Sequence, residues 1–157
     1  NRPNVFTAIE VHQTGIELGN RVVIIGGNLV GCETALFIRN LGKEVTVLEM
    51  TDRLHADANF AVNPSLQLHL DQSGVHGITG ARCTGISAEG VQVVYQTGKT
   101  ETVPADSVIL AVGMRSNVEV FQSMYDCAPE VIPVGDCIRP GTIRQASRTG
   151  YFTARDI

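Results

Sequence analysis

Apolar positions first become continuous at residues 22–25, where Val22, Val23, Ile24 and Ile25 follow Arg21. A run with no polar interruption is what a strand shows when both its faces are covered in a parallel sheet. Gly26, Gly27 and Asn28 break the run. Apolar side chains then recur at Val30, Leu36, Phe37, Ile38 and Leu41. That spacing predicts a helix over 30–41, closed by Gly42, a residue suited to the left-handed turn after a helix. Val45-Thr46-Val47-Leu48 forms a second run, rich in β-branched residues, so residues 21–49 read strand, helix, strand, one right-handed crossover unit.

Farther along, Asn63 and Pro64 predict a cap followed by proline in a first helical turn, with Leu66 and Leu70 on one face and Gly74 as the stop. Residues 75–79 predict a third strand. Short alternating pieces follow at 83–87, 91–96 and 101–103, separated by Gly90 and Gly98, a β-meander in place of a crossover helix. Residues 107–112 return to a buried strand ending at Gly113. A loop holding Asn117 and Pro129 leads to an expected strand at 131–134, then Gly135 and Asp136, then a final helix over 142–157 with Ile143, Ala146, Phe152 and Ala154 as its apolar positions. Residues 5–20 read as a mixed, turn-like lead-in. There is no internal repeat.

Composition narrows the class without changing this outline. A chain of 157 residues, 43% hydrophobic and 18% charged, is long enough to bury a core without disulfides or a structural metal. A net charge of −4 with scattered basic residues argues against a nucleic-acid partner. No apolar run approaches the ~18 residues of a membrane helix, and no secretory signal is visible. Cys32, Cys83, Cys127 and Cys137 are too dispersed for a zinc or iron–sulfur motif. Reduced thiols in a cytoplasm are the simplest reading.

The candidate chemistry lies at the first strand-to-helix turn, Gly26-Gly27-Asn28-Leu29-Val30-Gly31. A glycine-rich turn that opens a helix directs backbone N–H groups toward an anion, and a pyrophosphate fits that geometry. Against the dinucleotide pattern G-x-G-x-x-G the first and third glycines match, while Asn28 replaces the second, where phosphate must approach the backbone. Asparagine tolerates positive φ, so the turn is expected to survive with its side chain crowding the phosphates. Any tight strand-to-helix turn also uses glycine. Glu49 adds weight: it ends the second strand 18 residues after Gly31, near the spacing of about 20 at which a carboxylate meets the adenine ribose. Its charge favours NAD over NADP, with Arg53 nearby to soften the preference; a solvated strand-end charge is the alternative. The expected fold is therefore α/β, a Rossmann-like βαβ dinucleotide-binding domain with a β-meander.

Residues 21–27 through Glu49 and Met50, residues 105–113, and Val134-Gly135-Asp136-Cys137 resemble the two-dinucleotide-binding flavoprotein reductases along nearly the whole chain. The tail at 135–143 with Ala146 and Ala154 is similar to the NADH:flavin oxidoreductases of the 2,4-dienoyl-CoA reductase, enoate reductase and trimethylamine dehydrogenase family, which carry an old-yellow-enzyme-like barrel. The resemblance implies an NAD domain over 21–113 inserted into an FAD domain, of which remnants remain as the lead-in at 1–20 and the stretch at 114–157. It implies NAD(H) bound here, a partial FAD half-site, and FMN with a 4Fe–4S cluster only in the barrel of a longer protein. Leu29, Val30 and Glu33 would line the nicotinamide end, Gly113 would flank the cofactor, and Gly135 and Asp136 would approach the FAD pyrophosphate and ribityl chain. Read without the resemblance, Gly113 and Gly135 are simple turn glycines and Asp136 a cap.

The implied activity is hydride transfer from NADH to FAD, in which positioning matters more than acid or base catalysis. No catalytic residue is assigned, and the isolated chain is expected to be inactive. The rival is a module that holds ADP structurally, with Asn28 as its motive; a free-standing dehydrogenase would need a substrate domain and catalytic residues that the chain does not display. Partners are the nicotinamide dinucleotide and the FAD and barrel domains, with open strand edges allowing a homodimer. Tyr95 and Lys99 mimic the Y-x-x-x-K pair of short-chain dehydrogenases, yet Gly98 places them on a hairpin. Cys32 at a helix start is read as packing, and His12, His55, His69 and His76 as surface or hydrogen-bonded core positions.

Overall fold

The computed structural model describes residues 4–56 and 63–156. They divide into two compact units, Asn1–Val112 and Gly113–Ile157.

The first unit is built on a five-stranded parallel sheet. Its strands are β1 (Val5–Thr7), β2 (Arg21–Ile25), β3 (Glu44–Leu48), β4 (His76–Ile78) and, after the meander of β5 (Ala81–Ile86), β6 (Gly90–Tyr95) and β7 (Thr100–Pro104), β8 (Ser107–Leu110). The spatial order is β1-β8-β2-β3-β4, and the meander forms a separate three-stranded antiparallel sheet. Helices α1 (Ala8–Thr14), α2 (Leu29–Asn40) and α3 (Asn63–Ser73) make the other connections. The unbroken apolar run is explained by period-two alternation between two covered faces. Val22 and Ile24 enter a cluster with Ala35, Ile38 and Val47 beneath the helices. Val23 and Ile25 enter another with Val91, Val93 and Val103 of the meander. The core therefore lies in two layers on either side of β2, β3 and β8.

A charge pair joins the start of β2 to the residue before β8. The Asp106 carboxylate accepts the Arg21 backbone N–H at 2.8 Å and lies 2.6 Å from Arg21 Nη2. The Arg21 guanidinium and backbone together lower its pKa from 3.8 to about 2.

The βαβ unit, the third strand, the meander and the strand after it form as expected. Four local readings differ. The turn-like lead-in contains β1 and α1: Thr7 caps α1 with a reciprocal capping box through Glu10, and β1 pairs with β8 across about a hundred residues of sequence, Val5 opposite Val108. A three-residue strand has too little periodicity to announce itself; β8 supplies the ladder. Asn63 is already helical in α3. In the second unit the expected strand at 131–134 is absent, because a strand needs a neighbour to pair its backbone and none of the described residues provides one there. The expected loop around Asn117 instead starts a short helix, α4 (Val118–Gln122), with the Asn117 side chain accepting the Val120 N–H.

The second unit also holds 3₁₀ turns at Tyr125–Cys127 and Gly135–Cys137 and a final helix, α5 (Ile143–Arg155). Thr142 and Gln145 form the capping box of α5. Among the described residues no helix is long and apolar enough to cross a membrane, and no disulfide joins any of the four cysteines.

Candidate dinucleotide site

The glycine loop leaves β2 at the carboxyl end of the parallel sheet, where β2 lies between β8 and β3. The carboxyl ends of parallel strands are where open α/β sheets bind their ligands. Gly26 has φ +105, and a Cβ on it would stand 2.4 Å from the Ala111 carbonyl oxygen. A Cβ on Gly31 would stand 1.9 Å from the Gly26 carbonyl oxygen. The first and third glycines are thus required by backbone-to-backbone contact, as the fingerprint demands.

Asn28 departs from expectation. Its φ of −69° and ψ of 179° are extended, so positive φ is not what suits asparagine to this position. It is the N-cap of α2: Oδ1 accepts the Gly31 N–H at 2.9 Å, and Nδ2 donates to the Ala111 carbonyl at 2.5 Å. One side chain satisfies a helix-start donor and ties the loop to the end of β8.

Glu49 is likewise drawn into the loop. Its two oxygens accept the backbone N–H groups of Gly27 at 2.7 Å and Thr51 at 2.8 Å. Partial burial by itself would raise its pKa, but the N–H donors of Thr51 and Gly27 outweigh it and hold the carboxyl below its ordinary value. Each carboxylate oxygen retains a second lone-pair direction, so the group can brace the loop and still accept a ribose hydroxyl.

These residues border a cleft of about 310 Å³, to which Gly26, Asn28 and Glu49 contribute alongside Met50, Arg82 and Val112. Gly27 lies beneath, boxed in by Leu54 and Glu49. Leu29 packs toward Cys32, Leu66 and Leu70, Val30 is 43% exposed, and Glu33 and Arg53 are exposed; none of the four lines the cleft. Arg82 escaped sequence reasoning. It comes two residues after Gly80, the turn after β4, and the bonds from the Ala81 N–H to the Glu49 carbonyl, 2.9 Å, and from the Gly80 N–H to the Thr51 carbonyl, 2.7 Å, bring it beside the end of β3.

The remaining candidates belong to the second unit. Gly113 has φ +97 and Gly135 φ +58. The Gly135 N–H donates to Thr149 Oγ1 at 2.9 Å, and Asp136 Oδ1 accepts the Gly141 N–H at 3.2 Å. Tyr95 and Lys99 flank a hairpin turn, Lys99 Nζ 5.5 Å from the Tyr95 ring centroid, and both bond Glu101. Cys32 is fully buried. His12, His69 and His76 are exposed. His55 departs from the expectation of a fully bonded core position: it is 5% exposed, its Nε2 lies 2.7 Å from Gln67 Oε1, and its Nδ1 has no hydrogen-bond partner among the described residues.

Fold and site together define a mixed α/β protein with the dinucleotide-binding architecture. The chain belongs to the pyridine nucleotide-disulphide oxidoreductase family, which matches residues 4–150. It is 37% identical over 153 residues to a bilirubin reductase of Mediterraneibacter gnavus, covering 97% of this chain and 24% of that protein. It is 31% identical over 156 residues to an NADH oxidase of Thermoanaerobacter brockii, covering 98% and 24%. The structure of a 2-naphthoyl-CoA reductase superposes with a TM-score of 0.91 at 29% identity, over 99% of this chain and 24% of that one. The resemblance to flavin reductases of the old-yellow-enzyme-like group is borne out by these relatives. The chain spans about a quarter of their length.

Proposed function

We propose that this chain is the NAD(H)-binding portion of a larger flavin-dependent oxidoreductase that passes hydride from NADH to FAD. The observation that carries the reading is Glu49: a carboxylate at the end of β3, held on the glycine loop by two backbone N–H groups with acceptor capacity left over. The N-terminus of α2 would receive the pyrophosphate, with Gly26 and Gly31 keeping backbone rather than side chains at the closest approaches. Asn28 would hold that loop against β8 while the phosphates dock. The bound nicotinamide supplies hydride; the protein supplies placement, which accounts for the lack of an assigned acid or base. Gly113, Gly135 and Asp136 would belong to the flavin half-site, and FMN and a 4Fe–4S cluster to the rest of the longer protein. Four cysteines without a disulfide suit a reducing cytoplasm.

Calorimetric titration of the protein with NADH, NADPH and ADP tests this. NADH binding that weakens at least tenfold in Glu49→Ala supports the reading, since two ribose hydrogen bonds to a charged acceptor are at stake. ADP bound as tightly as NADH by the wild type, with no gain from the nicotinamide half, supports the structural-ADP alternative that the Asn28 side chain in the cleft suggests. Binding of neither removes both.

A further inference from the structure

We propose that Arg82 decides how strongly this site rejects the 2′-phosphate of NADPH, by pairing with that phosphate within the cleft that Glu49 borders. The inference rests on the nucleotide reading above and concerns the adenosine end of the same site.

Three observations place Arg82 there. Strand β5 begins against the nucleotide loop: the Ala81 N–H donates to the Glu49 carbonyl at 2.9 Å and the Gly80 N–H to the Thr51 carbonyl at 2.7 Å. This fixes Arg82 one residue from a backbone bond to Glu49, and it lines the same cleft of about 310 Å³ as Glu49 and Met50. Among the described residues its guanidinium pairs with no carboxylate, the ion pairs there being Arg21 with Asp106 and Lys99 with Glu101. Finally, the Glu49 charge that would repel a 2′-phosphate is partly offset by the Gly27 and Thr51 N–H groups. Arg53, the cation nearest to Glu49 in sequence, does not line the cleft.

A guanidinium offers paired donors that match two phosphate oxygens, so Arg82 would stabilise the 2′-phosphate of NADPH by a charge-assisted contact. NADH has a neutral hydroxyl at that position, and the same side chain would add little to its binding. Glu49 and Arg82 would then oppose each other: one accepts the ribose hydroxyls of NADH, the other tolerates the phosphate that Glu49 alone would exclude. The expected wild type binds both nucleotides, with a modest preference for NADH.

Dissociation constants for NADH and NADPH, measured by calorimetry on the wild type, Arg82→Gln and Arg82→Lys, test the inference. Arg82→Gln is expected to weaken NADPH roughly tenfold, the size of one charged hydrogen-bonding contact, while NADH stays within about twofold. Arg82→Lys, which keeps the charge but loses the fork, should fall between the wild type and Arg82→Gln. NADPH affinity that responds to Arg53→Gln instead, an equal loss of both nucleotides in Arg82→Gln, or no change in either overturns the proposal while leaving the NADH site standing. A wild-type protein that binds neither nucleotide overturns the nucleotide reading, and this inference with it.

Discussion

The two units are similar in local construction and opposite in burial. Helix α2 opens on an Asn28 cap and α5 on a Thr142 capping box. Yet α2 buries Cys32, Ala35 and Ile38 completely, whereas α5 buries nothing and leaves Ile143 87% exposed. Among the described residues, every buried one lies at or before Ala111. Capping satisfies the first N–H groups of a helix wherever it occurs, but most helix stability in proteins comes from packing an apolar face. Within this chain, residues 113–156 carry a capped helix but none of the burial that supports α2. The glycine loop sits in the other unit, where buried strands flank it and the Ala111 and Gly26 carbonyl oxygens leave no room for a Cβ on Gly26 or Gly31.

The largest test of this contrast is Ile24→Ala, at the fully buried centre of β2. It is expected to cost about 2–5 kcal/mol, read as a fall in the urea midpoint of residues 1–112. Gly31→Ala comes next. Its new methyl meets the Gly26 carbonyl oxygen rather than a yielding side chain, so about 1–3 kcal/mol of strain is expected, together with loss of nucleotide binding. Asn28→Ala should cost about 1 kcal/mol through the helix cap, and somewhat more because the Ala111 carbonyl also loses its donor. A result equal to that of Thr142→Ala, which has no such tie, would mean that the contact with β8 contributes nothing.

Asp106 supplies a pH test. Its folded pKa of about 2 lies below the ordinary 3.8. Its contribution is therefore complete above pH 3.8 and is lost as pH falls toward 2. Acid titration followed by circular dichroism should show a loss of stability in that window that Asp106→Asn flattens; an unchanged profile would remove the ion pair from the account. The smallest effect belongs to Ile143→Ala, within about 0.5 kcal/mol, since its side chain is already in water. A shift comparable to that of Ile24→Ala would end the comparison, because it would place Ile143 in a packed environment.

Much of the site's frame was legible. The apolar run at 22–25, the helix after it, the second strand and the meander follow from periodicities of 2 and 3.6, which depend on near neighbours in the chain. The spacing of Glu49 from Gly31 points to a carboxylate at the end of the second strand, and the structure places that carboxylate on the glycine loop. The short strand β1 was missed because its partner lies in β8. The strand expected at 131–134 was overread because apolar content does not by itself supply a pairing edge.

What the sequence by itself determined is the order of elements from β2 to β8, the glycine turn and the carboxylate at the second strand's end, since each is set by residue type and local spacing. Tertiary structure alone decided what the side chains do there. Asn28 turns inward to cap α2 and hold Ala111 instead of adopting positive φ. Glu49 closes onto Gly27, and Arg82 arrives beside it through a bond between Ala81 and Glu49. These are contacts across 22, 83 and 32 positions of sequence. The pairing of strands creates them, and no local pattern encodes which residues a sheet will bring to the same edge.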